Sequence, residues 1–297
     1  MQLRANILMV VVTMFWGLSY TFMVMGLESL EVFNVVALRS LIAFLIAGII
    51  FYKKIMNTNR KTLLYAMIQG FLLVFVVGLP MFGVQTTSAS NAGFLVSLTV
   101  VLVPIITSIL DRKLPSRTIS IAVICTMIGI SILTLNTILS FQIGDLFCML
   151  TAFCYSIYII LNGKFTNSVD SISFGIYQMA FAGIFGGLFC ILFELPQLPT
   201  TSSGIIAVLG LAILCSAFGF IGQAYAQQYT SATHTGLIFS LEPIFAAIFA
   251  VLFLGEDLTT RLIIGGLFIF GGNLIAQINQ FHILQIFIKK AQSEKTA

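Results

Sequence analysis

Apolar runs of about twenty residues recur along nearly the whole chain and leave it almost no choice of fold. We read ten of them, at roughly 6–25, 32–52, 63–84, 89–110, 118–135, 143–162, 172–193, 204–226, 233–253 and 262–281. Each matches the ~20 residues that a helix needs to cross a bilayer. Runs such as FLLVFVVGLPMFGV and GLIFSLEPIFAAIFAVLFLG do not alternate apolar and polar residues, as the strands of a transmembrane β-barrel would. The expected fold is therefore an all-α membrane protein. The first run is too long and too unlike a cleavage site for a signal peptide, so it is expected to remain as the first helix.

Ten spans use about 210 of the 297 residues, which leaves ~8 for each loop or tail. No extramembrane catalytic domain fits. Only 8% of the residues are charged, against ~25% in a soluble domain. That excludes a soluble enzyme, a nucleic-acid binder and a disordered scaffold. No P-loop, HExxH, GxSxG or Rossmann fingerprint occurs, so no cofactor and no ATP-driven step are expected. The five cysteines all fall inside apolar runs without a CxxC, which reads as packing and not as a metal site or disulfide framework.

The charges set the orientation. With the N-terminus inside, inner segments carry Arg4, Lys53, Lys54, Arg60, Lys61, Arg112, Lys113, Arg117, Lys164, Lys289, Lys290 and Lys295, which is 12 of 14 basic residues. The outer side carries only Arg261, while Arg39 lies within the second run. Glu28, Glu31, Asp145, Glu194, Glu256 and Asp257 fall outside or at the outer boundary. The positive-inside rule gives N-in, C-in. The net charge of +4 is then a topology signal with no basic face for nucleic acid. Lys53–Lys54 and Lys289–Lys290 are expected to touch anionic lipid headgroups.

The chain also repeats itself. Residues 85–134 lie on 228–277 without a gap, at an offset of 143, so that QTTSASNAGFLVSL faces QYTSATHTGLIFSL. The first run matches the sixth at an offset of 138, through Phe15/Phe153 and Tyr20/Tyr158. The domains expected are a five-helix repeat over 1–137, a second over 138–282, and a basic cytoplasmic tail over 283–297. Five is odd, so the second repeat must be inverted. RKLPSR at the first repeat's inner loop is basic, and its counterpart GEDLTTR is acidic and external. Inverted repeats are a mark of secondary transporters.

FWGLSY, Arg39, TSASNAG and SLEPIFAAIFAVLFLGEDL resemble the EamA-type branch of the drug/metabolite transporter superfamily, over essentially the whole chain. The first repeat departs from the pattern, with Thr99 where the second has Glu242 and Lys113 where it has Glu256. The resemblance implies a ten-helix exporter or permease of small metabolites. It also implies a central cavity lined by helices 1, 3, 4, 6, 8 and 9, with 5 and 10 peripheral.

Glu242, about ten residues into the ninth run, is an intramembrane carboxylate and so a functional candidate. It suits proton coupling; equally, it could organise the kink that Pro243 creates. Arg39 is the basic residue inside a span, and could hold a substrate carboxylate or phosphate, or serve as a structural or gating group that pairs with Glu242. Asn91 and His234 are repeat equivalents just inside helix N-termini, where capping and attraction of an anion compete. Trp16, Tyr20, Tyr155, Tyr158, Gln223 and Tyr225 are polar-tipped residues on expected cavity helices, as are the equivalent pair Ser97 and Ser240. Each alone reads as packing; together they make a candidate aromatic and amide-lined site. Gly183–Gly187, Gly265–Gly266 and Gly271–Gly272 allow close helix approach, the last for internal packing or a dimer through helix 10.

The expected function is secondary transport of a small organic metabolite, an amino acid or related compound, by alternating access, with export as the direction the resemblance implies. The Ser88–Asn91 segment would form the outer gate and Thr230–His234 the inner one. The expected location is the inner or plasma membrane, and protons are the candidate coupling ion. A multidrug or lipophilic-cation carrier, a nucleotide-sugar-type exchanger, an intramembrane enzyme and a channel are the rival readings. The protein is expected as a monomer or homodimer.

Overall fold

A computed structural model of the chain describes residues 1–134, 142–255, 257, 259–261, 263–272 and 274–275. Glu256, the expected tail over 283–297 and the last part of the expected tenth helix lie outside the described residues. Eight helices are long and apolar enough to cross a membrane: α1 Gln2–Leu27, α2 Val32–Ile50, α3 Arg60–Val84, α4 Ala89–Asp111, α6 Ile143–Thr166, α7 Ser171–Phe193, α8 Ser202–Gln227 and α9 Ala232–Leu254. Two shorter apolar helices, α5 Arg117–Thr134 and α10 Ile263–Gly272, complete the bundle.

Short polar side chains start these helices. Asn59, Ser88, Asp170, Thr201 and Ser231 each accept a hydrogen bond from the backbone N–H three residues on, which satisfies a donor that has no partner inside the helix. α6 has a reciprocal cap, in which Asp145 accepts from the Gln142 N–H.

The packing follows the repeat. α1 lies against α8 and α9, and its counterpart α6 lies against α3 and α4. α2 packs on α7, where Gly183 admits Leu41 and Gly186 admits Val36 and Ala37. α5 packs on α10, where a Cβ on Gly129 would lie 2.6 Å from the Gly265 carbonyl. Each of these contacts thus has an image in the other repeat or is its own image.

The two repeats also bend alike. α4 breaks at Ser97–Leu98 and α9 at Ser240–Leu241, an offset of 143. At the breaks Ser97 Oγ bonds the Gly93 carbonyl at 2.9 Å and Ser240 Oγ bonds the Leu237 carbonyl at 2.7 Å, a side-chain competition that loosens a helix. Pro243 adds to the second break because it has no N–H to donate. Both helices end on a left-handed residue, Arg112 (φ 52°) and Gly255 (φ 72°), again 143 apart.

The helix ends form two unlike faces. One carries Glu28, Glu31, Asp145, Glu194 and Asp257; the other carries Lys53, Lys54, Arg60, Lys61, Arg112, Lys113 and Arg117. At the acidic end, Glu194 accepts from the Phe33 and Asn34 N–H groups, both at 2.8 Å, and so ties α7 to the start of α2. At the basic end, Lys54 pairs with Asp170 and Tyr177 donates to the Ile55 carbonyl.

Candidate functional site

Two buried charges meet the same narrow space in the middle of the bundle. Glu242 is the first residue of the α9 half-helix that follows the break, and is only 7% exposed. Its Oε1 accepts a hydrogen bond of 2.9 Å from the Tyr20 hydroxyl of α1. Arg39 of α2 is 1% exposed, and its Nε donates to Ser216 Oγ of α8 at 2.9 Å. One terminal guanidinium nitrogen, Nη1, is buried without a partner. Arg39 and Glu242 line the same space, of about 40 Å³, but no ion pair joins them. That volume holds a few waters at most, so an organic solute would require it to widen.

The walls are aromatic and aliphatic. Trp16 of α1 packs edge-on against Tyr155 of α6 and Phe239 of α9, and tilted against Phe220 of α8. Its Nε1 donates to the Cys215 carbonyl at 2.9 Å. The Cys215 carbonyl and the Ser216 hydroxyl both come from a π-helical stretch, Leu211–Phe218, inside α8. Such widened turns disturb the backbone ladder and occur often at functional sites. Val76, Val77 and Pro80 of α3 and Val96 of α4 close the space. α2 therefore contributes to the lining beside helices that the resemblance implied.

A family model for the EamA-like transporter family matches the chain twice, over residues 3–135 and 142–277. The chain belongs to the EamA-like transporter family. This places it in the drug/metabolite transporter superfamily, as a multi-pass membrane transporter and not an enzyme. It is 24% identical over 292 residues to an "uncharacterized transporter" of Archaeoglobus fulgidus, covering 94% of this chain and 99% of that one. It is 27% identical over 255 residues to an "uncharacterized transporter" of Clostridium kluyveri, covering 79% of this chain and 81% of that one. A solved crystal structure at 16% identity shares the fold, with a TM-score of 0.76 over 95% of this chain and 99% of that one.

Within this EamA-like transporter the sequence candidates do not all gather at one site. Trp16, Tyr20, Arg39, Tyr155 and Glu242 line the central space. Ser97 and Ser240 are buried at the two helix breaks. Asn91 and His234 sit at opposite ends of the bundle instead. Asn91 Nδ2 donates to Thr87 Oγ1 at 2.7 Å and to Asp145 Oδ1 at 2.9 Å. His234 Nδ1 lies 2.7 Å from Ser231 Oγ, beside a cleft of about 250 Å³ that Asp111 and Lys113 also line. Eight residues separate His234 from Glu242, or ~12 Å along a helix, which is why it does not reach the centre.

Tyr158 and Gln223 belong to a buried amide cluster between the centre and the basic end. Tyr158 donates to Gln178 Oε1 at 2.8 Å, and Gln69 Nε2 donates to the Tyr158 carbonyl at 2.9 Å. Gln223 donates to Gln227 Oε1 at 3.1 Å, and Asn162 donates to the same oxygen. Gln69 Oε1, Asn162 Oδ1, Gln223 Oε1 and Gln178 Nε2 have no partner although they are fully buried. Tyr225 does not join either group: it is 40% exposed and meets Tyr229. Gln223 and Gln227, four apart, face inward, and Tyr225 between them points to the other side of the helix.

Residues that the sequence did not single out are Ser19, Thr151, Cys215 and Ser216. Ser19 and Thr151 line the space, and Cys215 and Ser216 hold its Trp and Arg. The apolar run LAILCSAF carries no signal of the π-helical stretch that presents the last two.

Proposed function

We propose that this EamA-like protein is a ten-helix secondary transporter of small zwitterionic metabolites, an amino acid or a related compound. One observation carries the reading: Arg39 and Glu242 bound one space and leave each other unpaired. A zwitterion supplies a carboxylate for the free Nη1 of Arg39 and an ammonium for Glu242. Its apolar part then rests on Trp16, Tyr155 and Phe220. Transfer of two charges out of water is costly unless both are met, so a solute with only one of them binds less well here.

The odd number of helices in each repeat, the equivalent breaks in α4 and α9 and the two-sided charge distribution support inverted repeats with both termini at the basic, inner face. Alternating access then works by separating the two repeats at one end while they stay closed at the other. Asn91, Thr87 and Asp145 hold the acidic end, and the segment around Ser231 and His234 opens the basic end. The amide oxygens and the nitrogen of the inner half that lack a partner gain water when that end opens. Glu242 is the candidate group for a coupling proton. Export from the cell across its inner or plasma membrane is the direction the family resemblance supports.

Counterflow in liposomes tests this. Preloaded neutral amino acids should accelerate uptake of labelled ones, with saturation. Flux of a lipophilic cation alone, insensitive to zwitterions, would instead support the drug-carrier reading, for which the aromatic walls beside Glu242 speak. Flux without saturation or counterflow would indicate an open pore.

A further inference from the structure

Arg261 is the exception to the charge pattern, a basic side chain placed at the acidic end. It stands just before α10, exposed, at the mouth of an apolar groove of about 570 Å³ on the flank of α5. The groove runs from Val123 through Met127 and Ile128 to Ser131 and Ile132. These positions recur three to four residues apart and so form one helix face. From Val123 to Ile132 is ~14 Å along the helix, close to half the ~30 Å hydrocarbon thickness, which is one leaflet.

We infer that this groove binds an anionic phospholipid from the leaflet at the acidic end. Its acyl chain lies along α5 and its phosphate meets Arg261. The charges at that end select the site. Glu28, Glu31, Asp145, Glu194 and Asp257 repel an anionic headgroup, and Arg261 is the basic side chain at the groove that attracts one. The small residues that could have drawn a second copy of the chain are already used. A Cβ on Gly129 would meet Gly265, and one on Gly272 would lie 2.8 Å from the Ala122 carbonyl, so α5 and α10 spend their close-packing faces on each other. The groove is the neighbouring face of α5, which that contact leaves uncovered among the described residues.

Native mass spectrometry of the full chain, with phosphatidylglycerol or phosphatidylcholine of matched chains, tests the assignment. The parent should retain phosphatidylglycerol about fivefold better than phosphatidylcholine, the factor expected for one basic residue at an anionic headgroup. Arg261→Gln should remove that preference. Ile128→Trp, which fills the groove from the lipid side, should remove both adducts while the melting temperature without added lipid stays unchanged. Equal retention of both lipids by the parent, or an undiminished preference in Arg261→Gln, would overturn the assignment. A dimer that Ile128→Trp abolishes would overturn it in favour of a second copy of the chain.

Discussion

Replacing Glu242 by Gln tests the centre of the site most directly. The amide keeps the shape of the side chain and an oxygen for the Tyr20 hydroxyl, which donates to Oε1 at 2.9 Å. The substitution therefore removes a charge and little else, and the melting temperature should hold. The second carboxylate oxygen is free to meet a substrate ammonium, in a space from which solvent is excluded, since Glu242 is 7% exposed. A hydrogen bond to a charged group contributes about 1.5–3 kcal/mol. At 1.4 kcal/mol per factor of ten, its loss should weaken zwitterion affinity roughly 10- to 150-fold in counterflow. If Glu242 also carries the coupling proton, the pH dependence of the rate should vanish with it. Tyr20→Phe is the control: it removes the hydroxyl but leaves the carboxylate, so it should weaken affinity far less. Affinity and pH dependence both unchanged in Glu242→Gln would refute the assignment, and the carboxyl would then be a packing group at the α9 break.

Three further outcomes follow from the packing and the ends of the bundle. A Cβ on Gly17 would lie 2.7 Å from the Ala246 nitrogen and 2.8 Å from the Phe245 carbonyl carbon, all backbone-bound atoms that cannot swing aside. Gly17→Ala should therefore force α1 from α9 and lower stability by about 1–3 kcal/mol in detergent unfolding; an unchanged midpoint would contradict the packing. Arg112 ends α4 with φ 52° where its repeat equivalent is Gly255, so Arg112→Gly should stabilise the chain by about 1 kcal/mol, read as a higher melting temperature. Asp170 is exposed, and the partial burial of its carboxyl raises its pKa, but the Lys54 ammonium and the bonds from Ser173 outweigh this and hold the carboxyl below its ordinary value. A depressed folded pKa means stability that is present at neutral pH and lost as the pH falls below about 4. Asp170→Asn, which keeps the cap, should cost less than about 1 kcal/mol at pH 7, since the pair is 45% and 43% exposed. The gap between parent and variant should narrow as the pH falls below the ordinary carboxylate range; a gap that does not change with pH would show that the ionised pair is not its source.

How far the sequence could be read depended on the scale of the feature. Span positions, end charges and the repeat are sums over many residues, and errors in single residues average out. The offset of 143 carries over even to the Ser88 and Ser231 caps and to the Arg112 and Gly255 turns. The site was legible only in part. Glu242 and Arg39 stand out because a charge inside a span is rare. Arg39 nonetheless bonds Ser216 and not Glu242, and nothing in LAILCSAF shows that α8 widens there. Tyr225 was grouped with Gln223 by proximity along the chain, yet two residues along a helix is over half a turn. Asn91 and His234 are candidates for attracting an anion, but a residue near a helix start stays near the membrane face and does not reach the central space.

The repeat also explains why the charges are not repeated. At the offset of 143 Glu242 corresponds to Thr99, and the counterpart of Arg39 falls near Gln178. In place of the Tyr20–Glu242 bond, Tyr158 donates to Gln178. In the proposed alternating access the scaffold keeps the twofold relation because opening to either side requires similar helix contacts. A single solute cannot obey that relation, because its ammonium and carboxylate differ. On the proposed reading the binding charges have to break the symmetry, and each repeat contributes one: Arg39 from the first and Glu242 from the second. A solute held by both spans the interface between repeats. Moving the repeats apart at one end then alters both contacts at once, so the step that opens the protein is also the step that weakens its grip. A variant with Gln178→Arg and Arg39→Gln would put the cation in the second repeat beside the amide cluster. It should fold yet fail in zwitterion counterflow; retained counterflow would mean that the placement of the charges is incidental.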